Sequence, residues 1–378
     1  MLLASHVPLP LARRTWRVLV TALLLAAPAA HAGAADKADA LCEVRFREPL
    51  RPRAGKLLRV PRAPEGTTGT TIQLLPGAAL QAVPEALAAF QAAADEWETL
   101  LNDPVTVQID CDLEAMGALG PLGYAASQAL LVPYDELRDA LIADASAEEL
   151  SLIQRLPTAA QVTYIHPRAN MPTSDLVASQ GNLKALGYTG FTDPDTLIRF
   201  NSDFTWDYDP SNGITPGTID FRGVALHEIG HGLGFISGVD SADSRISNNS
   251  TNSVSAWVMD LFRLRPGDGA TDFTRTPRVL TSGSFEPIQV FFDGRIEILM
   301  STARGGDGRQ ASHLKDDRQL GFDLGVMDPT ATRGFVKDLS PAELRIFGLI
   351  GWDMNTPQAA RPGAAGADRR LTHTSSEE

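Results

Sequence analysis

The sequence predicts a mixed α/β (α+β) fold, with an N-terminal lobe of mixed sheet plus helices and an irregular C-terminal lobe ending in a helix. Three observations predict it. Residues 71–110 read strand, helix, strand, and residues 196–201 repeat the strand signature. Ser340-Pro341-Ala342-Glu343 then opens a final apolar helix after a long stretch without periodicity.

The elements follow in chain order. Arg13, Arg14 and Arg17 precede an apolar run over residues 18–27, and Ala30-His31-Ala32 follows. A positive start, a short apolar stretch and small exit residues read as a secretory signal peptide over residues 1–32. The run is about ten residues, too short to span a bilayer. A secreted or periplasmic location is therefore expected. Residues 33–70 are rich in Ala, Pro, Arg and Gly and read as a leader or linker, with one short strand near 44–46.

Residues 71–75 have strand character. Pro84 opens a helix through 101, with Leu87, Phe90, Ala94, Trp97 and Leu101 at helical spacing. Residues 104–110 alternate as a half-buried strand does. Two surface helices are expected over 134–143 and 147–154. Asp207-Tyr208-Asp209-Pro210-Ser211-Asn212-Gly213 is a turn. Its carboxylates resemble a Ca²⁺ loop, but the glycine falls one place late and no glutamate closes it, so a plain Asx-rich turn is the simpler reading. Residues 237–255, rich in Ser and Asn, read as a mobile surface insertion. Residues 291–298 read as a hairpin around Asp293-Gly294. The final helix runs from Pro341 through Ile350, and residues 355–378 form a tail without apolar periodicity that is expected to be disordered. One domain over 71–354, with lobes 71–234 and 235–354, accounts for these elements.

Charge narrows the partners. The chain has 46 acidic and 33 basic residues, a net charge of −13. That balance argues against a nucleic-acid binder, offers nothing to an anionic membrane surface, and suits a soluble exported protein.

The chemistry sits in His227-Glu228-Ile229-Gly230-His231. Asp220 can cap a helix that carries these residues. Four residues make just over one turn, so both imidazoles project from one face and can bind one Zn²⁺. Glu228 stands beside them, placed to take a proton from water rather than to bind the metal. A catalytic zinc needs a third protein ligand. The histidines that remain after residue 32 are His166, His313 and His373. His373 lies in the tail, and His166 suits a structural or surface role. His313 is therefore the expected third ligand.

At this point the sequence resembles the metzincin zinc metallopeptidases, whose helix motif is H-E-x-x-H-x-x-G-x-x-H. Residues 227–234 match it through Gly234, the expected positive-φ turn, but Ser237 occupies the third histidine position. Leishmanolysin-like members show the same departure and take a histidine from far downstream, followed by a methionine turn. Ser312-His313-Leu314-Lys315 and then Gly325-Val326-Met327-Asp328-Pro329 resemble that arrangement. Residues 347–352 are similar to the terminal helix of bacterial secreted members. The resemblance implies a zincin fold, one catalytic Zn²⁺, protein or peptide substrates, Met327 as an apolar floor below the metal, and Glu228 as general base. It also implies that substrate lies along an edge strand, here expected within 197–202. No tyrosine follows Tyr208, so the tyrosine that some members place after the methionine turn is missing.

Other readings stay open. One is a zincin with a glutamate third ligand, Glu286 or Glu297. The other is a secreted zinc-binding or adhesion-type protein without proteolytic activity. Cys42 and Cys111 are the two cysteines, and an isolated pair in an exported chain is expected to form one disulfide. The alternative is that Cys42 blocks the metal as a thiolate in a latent precursor.

Overall fold

The computed structural model describes residues 40–45, 49, 58–59, 69–167 and 171–355. The expected signal peptide, most of the leader, His373 and almost all of the tail lie outside the described residues. Among the described residues no helix is long and apolar enough to cross a membrane.

Six strands form the principal sheet: β1 Ala40–Val44, β2 Thr71–Pro76, β3 Thr106–Glu114, β4 Gly123–Ser127, β5 Thr196–Asn201 and β6 Thr330–Ala331. Their spatial order is β6-β1-β4-β5-β3-β2. β2, β3 and β5 run parallel, β4 runs antiparallel to β5, β1 lies parallel to β4, and β6 is antiparallel to β1. The alternation read for β3 holds. Val107, Ile109 and Cys111 are buried, and Thr106, Gln108 and Asp110 turn toward solvent. The strand continues to Glu114, four residues past the alternating run.

Below the sheet lie α1, Pro84–Leu100, and α2, Phe221–Gly232. Proline sits in the first turn of α1, where a missing N–H leaves no hydrogen bond unmade. The Trp97 indole N–H donates to the Leu226 carbonyl at 3.1 Å and joins the two helices. Every residue of α2 except Arg222 is buried, because the helix is covered by the sheet, by α1 and by the C-terminal lobe. Helices Tyr134–Asp144 and Ala147–Ile153 match the two expected surface helices. The expected hairpin pairs Gln289–Phe292 with Glu297–Met300. The final helix, Pro341–Leu349, has both halves of its capping box, and Trp352 beyond it donates to the Leu233 carbonyl at 2.8 Å.

Three expectations are corrected. Residues 237–255 are not a bare loop: they contain α3, Val239–Ser247, whose Val239, Asp240, Ala242 and Asp243 are buried. β5 offers no free edge within 197–202, because β3 and β4 pair with its two sides. Cys42 and Cys111 are both buried and free. They stand on β1 and β3, with β4 and β5 between. Three strand spacings make roughly 14 Å, against a Cα separation of about 4.4–6.8 Å in a disulfide. Cysteine count suggests a pair, but only strand order shows that it cannot close.

Candidate metal centre

Asp220 caps α2 as expected, its carboxylate accepting the Gly223 N–H at 3.0 Å. The helix brings His227 and His231 to one face, and His313 arrives opposite them. All three are buried. His227 Nδ1 lies 2.6 Å from the Val326 carbonyl oxygen, His231 Nδ1 lies 2.8 Å from that of Phe235, and His313 Nδ1 lies 3.1 Å from that of Gln310. A carbonyl only accepts, so each Nδ1 carries the proton and donates it. Each Nε2 then presents a lone pair.

Those lone pairs converge. Nε2 of His231 is 2.9 Å from that of His227 and 3.2 Å from that of His313, and His227 to His313 is also 3.2 Å. With no proton between them these contacts are repulsive, unless a cation sits at their centre. Zinc–nitrogen bonds of about 2.0–2.1 Å at tetrahedral corners would set the nitrogens roughly 3.3 Å apart. The three histidines therefore form a group that can hold a metal ion. Burial lowers the His227 pKa to about 4, against the opposing Val326 hydrogen bond. Burial, then the neighbouring imidazoles, drives His231 well below its ordinary value, and His313 likewise falls by burial and by His227. All three rings are neutral near pH 7, the state that ligates metal.

Glu228 lies beside this group and is fully buried. No N–H or O–H group donates to either of its carboxylate oxygens. Burial raises its pKa well above the usual carboxylate range, and the facing Cys42 thiol offsets part of that. Ligand atoms of Cys42, His227 and Glu228 lie within 4.8 Å of one another. An unsatisfied buried carboxylate is costly, and it points toward a group that a water or substrate would complete.

Met327 is fully buried against α2. A side chain at Gly230 would put its Cβ 2.6 Å from Met327 Sδ, so glycine is what lets the two segments approach. The Met327 carbonyl accepts the Leu314 N–H at 2.9 Å, which ties this turn to the His313 segment. Gly234 has φ +114°, the turn expected where the chain leaves the helix.

Ser237 belongs to a buried polar frame. Its hydroxyl donates to Asp260 at 2.6 Å, and its N–H donates to the Ser312 hydroxyl at 2.9 Å. Asp260 also accepts the N–H groups of Gly238 and Trp257 and lies 3.5 Å from the buried Arg263 guanidinium. Arg263 donates to the carbonyls of Ser301 and Ala311. Asp240 accepts the Ala311 N–H at 2.6 Å. These residues hold the loop that presents His313. Asp240, Asp260 and Arg263 were not singled out from the sequence. The available signal was the helical spacing of Val239, Ala242 and Ile246 inside a polar stretch.

The remaining candidates are engaged elsewhere. His166 is half-buried, with Nδ1 2.9 Å from the Pro167 carbonyl oxygen. Glu286 is bound by the Arg265 guanidinium, and Glu297 accepts the Gly267 N–H at 2.6 Å. Neither glutamate joins the histidines. At the expected calcium turn, Asp207 accepts the N–H groups of Asp209 and Thr215, and Asp209 accepts that of Ser211. The bonds to Asp209 and Ser211 are Asx-turn hydrogen bonds, and the Thr215 bond closes the loop behind them. No family model, curated protein or solved structure matches the chain.

Proposed function

We propose that the protein is a zinc-dependent endopeptidase of the metzincin type. One observation carries the reading: a buried carboxylate that no N–H or O–H donor satisfies, Glu228, stands beside three converging imidazole lone pairs. A purely structural zinc site has four protein ligands and no use for such a base. Three nitrogen donors fit zinc with one position left open. Zinc bound there supplies Lewis acidity for polarising a carbonyl and activating water.

The chain's own groups do the rest. Glu228 takes a proton from the attacking water and passes it to the leaving amine. Burial raises its pKa, which makes it a stronger base for that exchange. The Val326, Phe235 and Gln310 carbonyls fix the tautomer and tilt of each imidazole. Tyrosine is missing after residue 208, so a phenol from the C-terminal lobe takes no part.

The test is Glu228→Ala. The variant should keep one equivalent of zinc and lose casein cleavage by about 10²–10⁴-fold. Loss of zinc, or cleavage near that of the unsubstituted chain, overturns the assignment.

A further inference from the structure

Outside the histidine group, one buried guanidinium has no counter-charge. Arg278 is fully buried on a two-residue strand, Arg278–Val279, that runs parallel to Tyr164–Ile165. Its backbone N–H donates to the Thr163 carbonyl at 2.8 Å, which fixes the strand in place. Nε donates to the Leu261 carbonyl at 2.8 Å, and Nη1 donates to the carbonyls of Phe273 and Thr276 at 2.7 and 2.5 Å. All three acceptors are neutral. Nη2, which carries two more N–H groups, has no acceptor. The ionisable groups that act on Arg278 are the phenols of Tyr134 and Tyr164, and no carboxylate stands among them. Burial lowers its pKa only to about 10, so it stays a cation at neutral pH.

Tyr134 supplies a second unfinished group. It opens the helix Tyr134–Asp144, is 4% exposed, and its hydroxyl makes no hydrogen bond. The phenol lies within electrostatic reach of the Arg278 guanidinium, so the two orphans share one buried region. Burial pushes the phenol above its ordinary range, so it keeps its proton and cannot neutralise the arginine. An unpaired buried charge is costly, and buried donors without acceptors add to that cost. Water would satisfy the donors but leave the charge uncompensated. A metal cation would be repelled by the guanidinium. We propose that Arg278 and Tyr134 form a buried site for a small monovalent anion, chloride, which accepts from the Nη2 N–H groups and the Tyr134 O–H. The ion neutralises the guanidinium and ties the Arg278–Val279 strand to the helix that Tyr134 opens. Through Leu261 it also steadies the neighbour of Asp260, and so the frame around the His313 loop. This site is independent of the peptidase reading and holds whether or not the histidine centre cleaves peptides.

The experiment uses the full chain and its Tyr134→Phe and Arg278→Gln variants, unfolded by urea in mixtures of sodium chloride and sodium gluconate at constant ionic strength. Once the site is filled, each tenfold rise in chloride should lower the unfolding equilibrium constant of the unsubstituted chain by about tenfold. Bromide should replace chloride in this effect. Tyr134→Phe keeps the ring and loses the O–H, so the chloride needed for half the effect should rise by roughly 10–100-fold. Arg278→Gln should lose the dependence altogether, and Tyr134→Phe carries the test if that variant does not fold. The chloride NMR line should broaden in the presence of the unsubstituted chain, sharpen on adding bromide, and broaden far less with Tyr134→Phe. Equal unfolding in chloride and gluconate overturns the site and leaves the two orphans to water. A chloride dependence or line broadening unchanged in Tyr134→Phe also overturns it, because the ion then binds elsewhere, on the surface or at the histidine centre.

Discussion

Asp240 Oδ2 accepts two hydrogen bonds from Ser312, one from its backbone N–H at 2.9 Å and one from its hydroxyl at 2.7 Å. Ser312 immediately precedes His313, so a carboxylate on α3 sets the position of an imidazole 73 residues later without touching the metal. Asp240→Ala should therefore weaken zinc binding by about 10–100-fold. Competition against a chromogenic chelator measures this. Affinity equal to that of the unsubstituted chain would show that the loop holds itself.

His313 is the imidazole of the group that comes from outside α2, and its loss leaves two, too few for a closed set. His313→Ala should lose zinc on dialysis against a weak chelator. Glu286→Ala, Glu297→Ala and His166→Ala should retain it, since those side chains are held by Arg265, Gly267 and Pro167. A glutamate variant that loses zinc while His313→Ala keeps it would replace the ligand set.

Gly230 and Met327 test the packing below the histidines. A Cβ at residue 230 meets Met327 Sδ at 2.6 Å and Phe347 Cζ at 3.3 Å. Gly230→Ala should lower unfolding free energy by about 1–3 kcal/mol, as overpacking does. Met327→Ala in the same chain should recover part of that loss. Urea unfolding of the two single variants and the double variant gives the coupling, and strictly additive losses would show that the two residues do not press on each other.

Glu343 links stability to pH. Its carboxylate accepts the N–H groups of Met327 and Ser340, yet burial raises its pKa from 4.5 to about 7 against those donors. A pKa raised on folding means that the folded state holds the proton more tightly. The contribution is then fully present below about pH 4.5 and is lost as pH rises through about 7. Glu343→Gln cannot titrate, so its stability should vary less between those limits, although it caps the final helix less well. Urea midpoints across the range decide the point; an identical pH slope in both proteins would place the effect on another group.

The sequence made the chemistry legible where it is local. His227, Glu228, His231 and the Asp220 cap share one helix, and helical spacing alone puts them on one face. His313 could be reached by elimination, because few imidazoles remain. What stayed hidden depends on distant segments meeting. A run rich in Ser and Asn looks solvated, but its Asp240 accepts the Ala311 and Ser312 N–H groups, and Asp260 pairs with Arg263 just beyond the run, so these charges can be buried. Ala40–Val44 reads as a leader because its strand has no apolar pattern of its own; its hydrogen-bonding partners lie on β4 and β6. Strand order, which sequence does not display, decides both the missing disulfide and the lack of a free edge on β5.

The separation of the three imidazoles along the chain also bears on how the protein folds. His227 and His231 stand in position as soon as one helix forms, whereas His313 lies 82 residues beyond His231 and reaches them only after the C-terminal lobe has packed. Closing a loop of that length before its contacts form is slow in entropic terms. Metal encountered early meets a two-coordinate site that holds it weakly, and tight capture coincides with completion of the second lobe. Binding energy is then spent mainly on the last folding step, so chelation should loosen the C-terminal lobe while the β2–β3–β5 sheet and α1 keep their amide protection.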